Sequence, residues 1–243
     1  MRFNEADATG VAAIQTIGNW LQEAADWHAR DLGWARDQLR ELRLFWALVG
    51  LRIRMTRYPA WRETARVTTW PTGADRIYAW RDFIVADAVG QPVGAATSAW
   101  LLVNEDTRRP IRMPQAMHDM AVRDQPRALV HNFREKLAPP MESEYEARFK
   151  VRRSDLDVNG HVNNVSFIDW AVESTPVAVA AAAQPEELLM EFHAEALLGA
   201  EVLAQSARQA ASAADRVCVL HRLVNAQDGR VLALARTIWQ SGK

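Results

Sequence analysis

Residues 155–173, DLDVNGHVNNVSFIDWAVE, carry the most informative group of reactive side chains. Asp157, Asn159 and His161 stand two apart, just before a helical pattern. In an extended segment, positions i, i+2 and i+4 point to one face. A carboxylate, an amide and an imidazole would then converge on one site. The helix that follows would direct backbone N–H groups from its first turn toward them. Such donors suit an anion or a developing oxyanion. A base, a water-orienting amide and an oxyanion donor are what attack of water on an acyl group requires. General base catalysis contributes about 10²–10⁴-fold, and one lost oxyanion donor costs about 10²–10³-fold. Asp, Asn and Gly are also ordinary turn residues. Local physics alone therefore leaves a second reading open, in which these residues only close a turn and cap a helix.

The elements that must hold this stretch follow from hydrophobic periodicity. Ile14, Ile17, Leu21, Ala24, Ala25 and His28 recur at helical spacing and predict a helix over 11–32, stopped by Gly33. A short second helix fits Asp37–Leu42. Leu51, Ile53 and Met55 alternate with Arg52, Arg54 and Thr56, a strand pattern ended by Tyr58-Pro59. Strands follow over Thr64–Trp70, Arg76–Asp87 and Pro92–Asn104, the last two joined through Val89-Gly90-Gln91. Residues 105–144 carry five prolines and little periodicity, with a short helix near Gln115–Val122; they read as a connector. The second half has a strand over Glu146–Val151 and a helix over Asn164–Ser174, capped by Asn163 or Asn164 and followed by Pro176. Further strands fit Leu188–His193, Val202–Ala211, Arg216–Asn225 and Arg230–Gln240, with Asp228-Gly229 as a type I′ hairpin signal. Helix first and then a meander of strands argues for antiparallel α+β architecture.

The two halves repeat each other. A shift of 150 positions lays Asp7 on Asp157, Gly10 on Gly160, Trp20 on Trp170 and Glu23 on Glu173. A shift of 139 or 140 lays Asp75-Arg76 on Asp215-Arg216, and Ala96-Thr97-Ser98-Ala99-Trp100 on Ala235-Arg236-Thr237-Ile238-Trp239. Only the second half carries Asn159, His161 and the Asn163-Asn164 pair. If one half is the chemical half, it is the C-terminal one.

Composition bounds the rest. The chain has 243 residues, 49% hydrophobic and 24% charged, with a net charge of −1. That is ordinary globular composition without the basic field of a nucleic-acid coat. One cysteine, Cys218, excludes an internal disulfide framework and a multi-cysteine zinc site. His28, His118, His131 and His221 form no ligand spacing, so no metal and no cofactor are expected. The opening MRFNEADATG has no apolar core of a secretory signal. The apolar stretches Leu44–Leu51 and Pro176–Ala183 are too short for a bilayer. A soluble, cytoplasmic protein is expected.

The run LDVNGHVNN-x-x-F-x-x-W-x-x-E resembles the acyl-acyl carrier protein (acyl-ACP) thioesterases, as do Thr16-Ile17-x-Asn19-x-Leu21-Gln22-Glu23, Arg57-Tyr58-Pro59-x-Trp61 and Asn104-x-Asp106-Thr107-Arg108-Arg109 in the first half. The resemblance covers nearly the whole chain in the right order. It implies a tandem hotdog: two helix-plus-antiparallel-sheet modules in one chain. The expected division is an acyl-chain-binding half at 1–112, a connector at 113–143 and a catalytic half at 144–243. The implied reaction is release of free fatty acid from fatty acyl-ACP by water, with the carrier protein as partner. Asp157, Asn159 and His161 match the family's site positions, and Glu195 matches a family glutamate assigned to the same site. Asn163, Asn164, Trp20 and Trp46 are the expected substrate-binding residues. Plant members carry a cysteine directly after that glutamate; here it is Ala196, so a thiol nucleophile at that position is excluded. Cys218 reads as a small core residue of a strand. Arg36, Arg40, Arg43, Arg52, Arg54, Arg57 and Arg62 form a basic stretch that could dock an acidic partner, with Arg108, Arg109 and Arg112 as a second patch. Two other functions stand beside the first: an acyl-CoA thioesterase of the same fold, and a non-catalytic acyl-binding hotdog. A monomer or a homodimer fits a tandem module.

Overall fold

A computed structural model of the chain describes residues 1–122, 124–180, 184–209 and 215–240. The chain divides into two compact units, residues 1–12 with 16–133 and residues 13–15 with 134–243. Each is an antiparallel sheet with a principal helix, which is the α+β plan the periodicity predicts.

In the first unit, α1 (Ile14–Asp31) is followed by α2 (Arg36–Glu41) and by strands β1 (Leu44–Met55), β2 (Arg66–Ala74), β3 (Tyr78–Ala86) and β4 (Pro92–Asn104). The strand order is β2-β3-β4-β1, antiparallel throughout. Ile17, Leu21 and Ala25 of α1 are buried, as their spacing requires. Leu51, Ile53 and Met55 are buried too, with Arg52 and Arg54 between them less so. The strand begins earlier than that alternation indicates. From Leu44 to Val49 every residue is half-buried, so both faces are apolar and no period of two appears. Leu39, Leu102, Met113 and Met117 form a buried cluster against which Trp34, Leu44 and Trp46 pack. Met113 and Met117 come from α3 (Gln115–Asp119) and its approach, so part of the expected connector belongs to this core. The end of the first unit is pinned by a close approach. A Cβ on Gly50, at the bulge of β1, would overlap the Phe133 ring.

In the second unit, β5 (Tyr145–Lys150) precedes α4 (Asn164–Glu173). Strands β6 (Glu187–Phe192), β7 (Glu201–Gln209), β8 (Arg216–Asn225) and β9 (Val231–Gln240) follow. The order is β6-β9-β8-β7-β5, again antiparallel. Positions 210 and 211 of the strand expected over Val202–Ala211 lie outside the described residues. So do residues 181–183 of the apolar stretch Pro176–Ala183. α4 lies against β5, β7, β8 and β9. Its Phe167, Ile168, Trp170 and Ala171 are buried, and Phe149 stacks on Trp170 at 5.7 Å.

Two sequence expectations need correction. The β8–β9 connection is not a two-residue type I′ turn. Asn225 N–H donates to the Arg230 carbonyl and Gly229 N–H to the Asn225 carbonyl, so four residues form the loop. Only Gly229 has positive φ there, whereas type I′ needs two such residues. Side-chain acceptors on Asn225 and Asp228 hold the longer loop open. Cys218 is not a core residue. It is half-buried on β8, its Sγ 3.7 Å from Gln209 Oε1, and burial raises its thiol above the usual range.

The duplication is geometric as well as sequential. The bridge Ala6↔Ala12 recurs at Leu156↔Val162. A single 3₁₀ turn precedes each, Phe3–Glu5 and Arg153–Asp155. Near the end of each half an indole N–H reaches back two residues to a hydroxyl: Trp100 to Ser98 and Trp239 to Thr237, both at 2.8 Å.

Candidate active site

The stretch 157–161 is a tight loop and not an extended segment. Asp157 N–H donates to the His161 carbonyl at 2.8 Å, Gly160 N–H donates to the Asp157 carbonyl at 3.0 Å, and Gly160 has φ +79°. Strand alternation therefore does not align Asp157, Asn159 and His161. The loop groups them as two contacts. Asn159 Nδ2–H donates to Asp157 Oδ2 at 3.1 Å. His161 Nδ1 lies 3.5 Å from Glu195 Oε1. Both His161 and Glu195 are partly open to solvent, with 30% and 41% of their side chains exposed, so both can meet a ligand.

The Glu195 segment is fastened to the loop. Val162 N–H donates to the Ala196 carbonyl at 3.0 Å, one residue beyond Glu195. Arg230, from the β8–β9 loop, donates through Nη2 to the Glu195 carbonyl at 3.3 Å. Sequence reasoning did not find Arg230. It lies 35 residues from Glu195, and only the hairpin return brings it back.

Asn163 is the N-cap of α4, its Oδ1 accepting from Val165 N–H at 3.0 Å. Its own N–H donates to the Asp155 carbonyl at 2.8 Å, and Ser166 N–H donates to the Asn163 carbonyl at 2.9 Å. The amides of residues 162, 163, 165 and 166 are thus committed to the scaffold. The expected row of helix N-terminal donors narrows, leaving Asn164, first residue of α4, as the amide these contacts do not use. Asp155 anchors the base of the turn. Burial alone would raise its carboxyl, but hydrogen bonds from the Arg152 side chain and backbone bring it below its ordinary value.

The expected substrate residues Trp20 and Trp46 lie in the first unit, on local partners. Trp20 Nε1–H donates to Glu5 Oε1 at 3.1 Å, and Trp46 Nε1–H to the Trp34 carbonyl at 3.0 Å. The basic stretch is dispersed among separate contacts: Arg43 pairs with Asp106 and Glu105, Arg57 with Glu63 and Asp87, and Arg52 donates to the Val130 carbonyl. His28 accepts at Nδ1 from Arg81, whose guanidinium burial pushes down to about 10. Among the described residues, no three His, Cys, Asp or Glu side chains gather as a metal site.

Two buried carboxylates escaped sequence reasoning. Asp82 of β3 accepts from Arg127 Nε at 2.9 Å, Ala128 N–H at 2.7 Å and Thr97 Oγ1 at 2.6 Å. Glu191 of β6 accepts from Leu137 N–H at 2.9 Å and faces His193 Nε2 at 3.3 Å. Each holds part of the segment after α3 onto the sheet of its own unit. A charged residue at an inward strand position is the only signal either leaves in the sequence.

Residues 1–120 match the acyl-ACP thioesterase N-terminal domain family, and residues 139–241 match the acyl-ACP thioesterase C-terminal domain family. The chain is 33% identical over 211 residues to oleoyl-acyl carrier protein thioesterase 2, chloroplastic, of Arabidopsis thaliana, covering 80% of this chain and 58% of that protein. It is 29% identical over 253 residues to palmitoyl-acyl carrier protein thioesterase, chloroplastic, of Cuphea hookeriana, covering 99% and 60%. It thus spans 58–60% of the length of these relatives. Among solved structures, an acyl-ACP thioesterase from Bacteroides thetaiotaomicron superposes with a TM-score of 0.85 at 24% identity, covering 98% of this chain and 94% of that one. The 12:0-ACP thioesterase from Umbellularia californica gives 0.85 at 24%, covering 99% and 91%. At that identity the likeness speaks for the fold, and the fold is the tandem hotdog.

Proposed function

Because this chain belongs to the acyl-ACP thioesterase family through both of its halves, we propose that it is a hydrolase releasing free fatty acid from fatty acyl-ACP by attack of water on the thioester. The observation that carries this reading is the His161–Glu195 contact, set beside the loop at the start of α4. A carboxylate only accepts, so Glu195 favours the proton on His161 Nδ1 and leaves Nε2 as the base. The 3.5 Å separation is long for a hydrogen bond, and such contacts tighten when substrate binds.

In the proposed reaction, His161 Nε2 takes a proton from water while the water oxygen bonds to the thioester carbon. The carbonyl becomes an oxyanion, met by the Asn164 amide. The C–S bond then breaks. The departing thiolate takes the proton back from the His161 imidazolium, and a fatty acid and a thiol leave. Asn159 orients the attacking water. Asn163 serves the site through the α4 cap. The first unit takes the acyl chain, with Trp46 beside the Leu39, Leu102, Met113 and Met117 cluster and Trp20 on the face of α1. The partner is the acyl carrier protein that presents the chain.

Thiol release from acyl-ACP and acyl-CoA, matched over a series of chain lengths, tests this reading. We expect faster hydrolysis of the ACP thioesters, and a loss of about 10²–10⁴-fold in kcat for His161→Ala. Equal or faster hydrolysis of CoA thioesters would move the function to acyl-CoA hydrolysis on the same site. No release from either substrate by folded protein would refute the hydrolase and favour an acyl-binding module.

A further inference from the structure

Three loops of this chain close on the same aspartate geometry: Asp7–Val11, Asp87–Gln91 and Asp157–His161. In each, the aspartate N–H donates to the carbonyl four residues on, at 2.8, 3.0 and 2.8 Å. The glycine three residues on donates back to the aspartate carbonyl, at 3.0, 3.1 and 3.0 Å. Gly10, Gly90 and Gly160 all have positive φ, +82°, +85° and +79°. In each, Oδ1 accepts from two backbone amides. The first, at i+2, lies at 2.8, 3.0 and 2.8 Å. The second, at i+4, lies at 3.3, 2.9 and 3.3 Å. Two of these loops stand outside the candidate site. The Oδ1 contacts of Asp157 are therefore what an Asp-x-x-Gly-x loop requires to close.

What distinguishes the third loop is the other oxygen. At Asp7, the i+2 side chain (Thr9 Oγ1) returns to Oδ1 itself, at 2.7 Å. At Asp87, Oδ2 faces Arg57 at 3.5 Å. At Asp157, Oδ2 accepts from Asn159 Nδ2 at 3.1 Å. A carboxylate has no proton to give, so the Asn159 atom beside it must be the amide nitrogen. The Asn159 carbonyl oxygen is thereby turned away from Asp157. Proton transfer to Asp157 would compete with three donors already aimed at its two oxygens.

We propose that Asp157 is a positioning residue: Oδ1 closes the loop that carries His161, and Oδ2 sets the Asn159 amide with its oxygen outward, while the proton moves through His161. This rests on the hydrolase reading above.

The test is a side-chain exchange. Asp157→Asn keeps an oxygen for the loop amides but sets one NH2 against another. Asn159 must then turn, and it presents nitrogen where oxygen stood. Adding Asn159→Asp lets the carboxylate now at position 159 accept from the new amide at position 157, and it presents oxygen again. With acyl-ACP as substrate, Asp157→Asn should lower kcat about 10- to 100-fold with little change in KM. The acid limb of its pH–kcat profile should stay where the wild type has it. The double variant should recover to within about 5-fold of wild type with the same acid limb. Asp7→Asn and Asp87→Asn should match Asp157→Asn in any loss of thermal stability, and should keep full activity. A kcat loss in Asp157→Asn as deep as that of His161→Ala would overturn the assignment. So would a displaced acid limb, an unrescued double variant, or an equal kcat loss in Asp7→Asn. Each of those results leaves the hydrolase reading standing. A wild type inactive on every acyl thioester overturns both.

Discussion

His221 gives this protein a stability that acid removes. It sits on β8 with no exposed surface. Its Nε2 meets Thr237 Oγ1 at 2.8 Å and its Nδ1 meets Ser174 Oγ at 3.2 Å. Directions follow from the neighbours. The Thr237 hydroxyl, which also accepts from Trp239 N–H, gives its proton to Nε2, because the neutral ring carries its one proton on Nδ1. Ser174 Oγ donates to the Ala171 carbonyl, so Nδ1 carries the ring proton and donates to Ser174. The ring is neutral and both nitrogens are occupied. Burial pushes its pKa down to about 3. An unfolded histidine titrates near 6.5, so between about pH 6.5 and 3 the unfolded chain binds one proton that the folded chain refuses. Stability from this group is complete above pH 6.5 and falls with acidity, by up to about 1.4 kcal/mol per pH unit. At pH 5 the loss from His221 alone is about 2 kcal/mol. Urea unfolding followed by tryptophan fluorescence, which Trp239 reports from the same network, should be compared at pH 8 and pH 5. His221→Gln removes the titration and keeps a polar side chain. It should lower stability at pH 8, yet shrink the pH 8-to-5 drop by about 2 kcal/mol. The same drop in variant and wild type would refute the reasoning.

Two further outcomes follow from contacts already described. Asp82→Ala removes a fully buried carboxylate from Arg127, Ala128 and Thr97, and should cost about 3 kcal/mol. Urea midpoints, together with faster tryptic cleavage at Arg127, would register it. Cys218→Ser should leave kcat on acyl-ACP unchanged, because the half-buried thiol is held protonated and stands on β8; abolished turnover in a folded variant would contradict attack by water.

The elements with an undisturbed period were legible in the sequence nearly to the residue. β4 and β8 span the predicted Pro92–Asn104 and Arg216–Asn225. Asn163 caps α4, as one of the two asparagines there was expected to. Legibility failed where burial or loop chemistry removed the period. The first half of β1 is apolar on both faces and shows no alternation. The alternate spacing of Asp157, Asn159 and His161 reads as an extended segment, whereas an aspartate and a positive-φ glycine fold residues 157–161 into a loop. Glu195 lies 34 residues beyond His161, and no local pattern joins them. Only the family resemblance named it, and the structure sets it 3.5 Å from the imidazole. Asp82 and Glu191 stayed hidden because Arg127, Ala128 and Leu137, which donate to them, belong to a segment without periodicity.

The duplication acts as an internal control on which features of the site are scaffold. Ala12 N–H donates to the Pro59 carbonyl, as Val162 N–H donates to the Ala196 carbonyl, so Pro59 answers to Ala196 and Tyr58 to Glu195. The first unit thus keeps the loop, its aspartate, its glycine and its backbone tie. It holds Thr9, Val11 and Tyr58 where the second unit holds Asn159, His161 and Glu195. Burial drives the Tyr58 hydroxyl well above its usual range, so it offers no charge to an imidazole, and Val11 offers no imidazole to receive one. The aspartate persists in both units because the backbone needs it. The amide, the imidazole and the second carboxylate occur together only in the second. An aspartate present in the unit without the amide, imidazole and second carboxylate is accounted for by the loop it closes. The groups found only in the second unit, Asn159, His161 and Glu195, are the ones to which the proposed reaction is assigned.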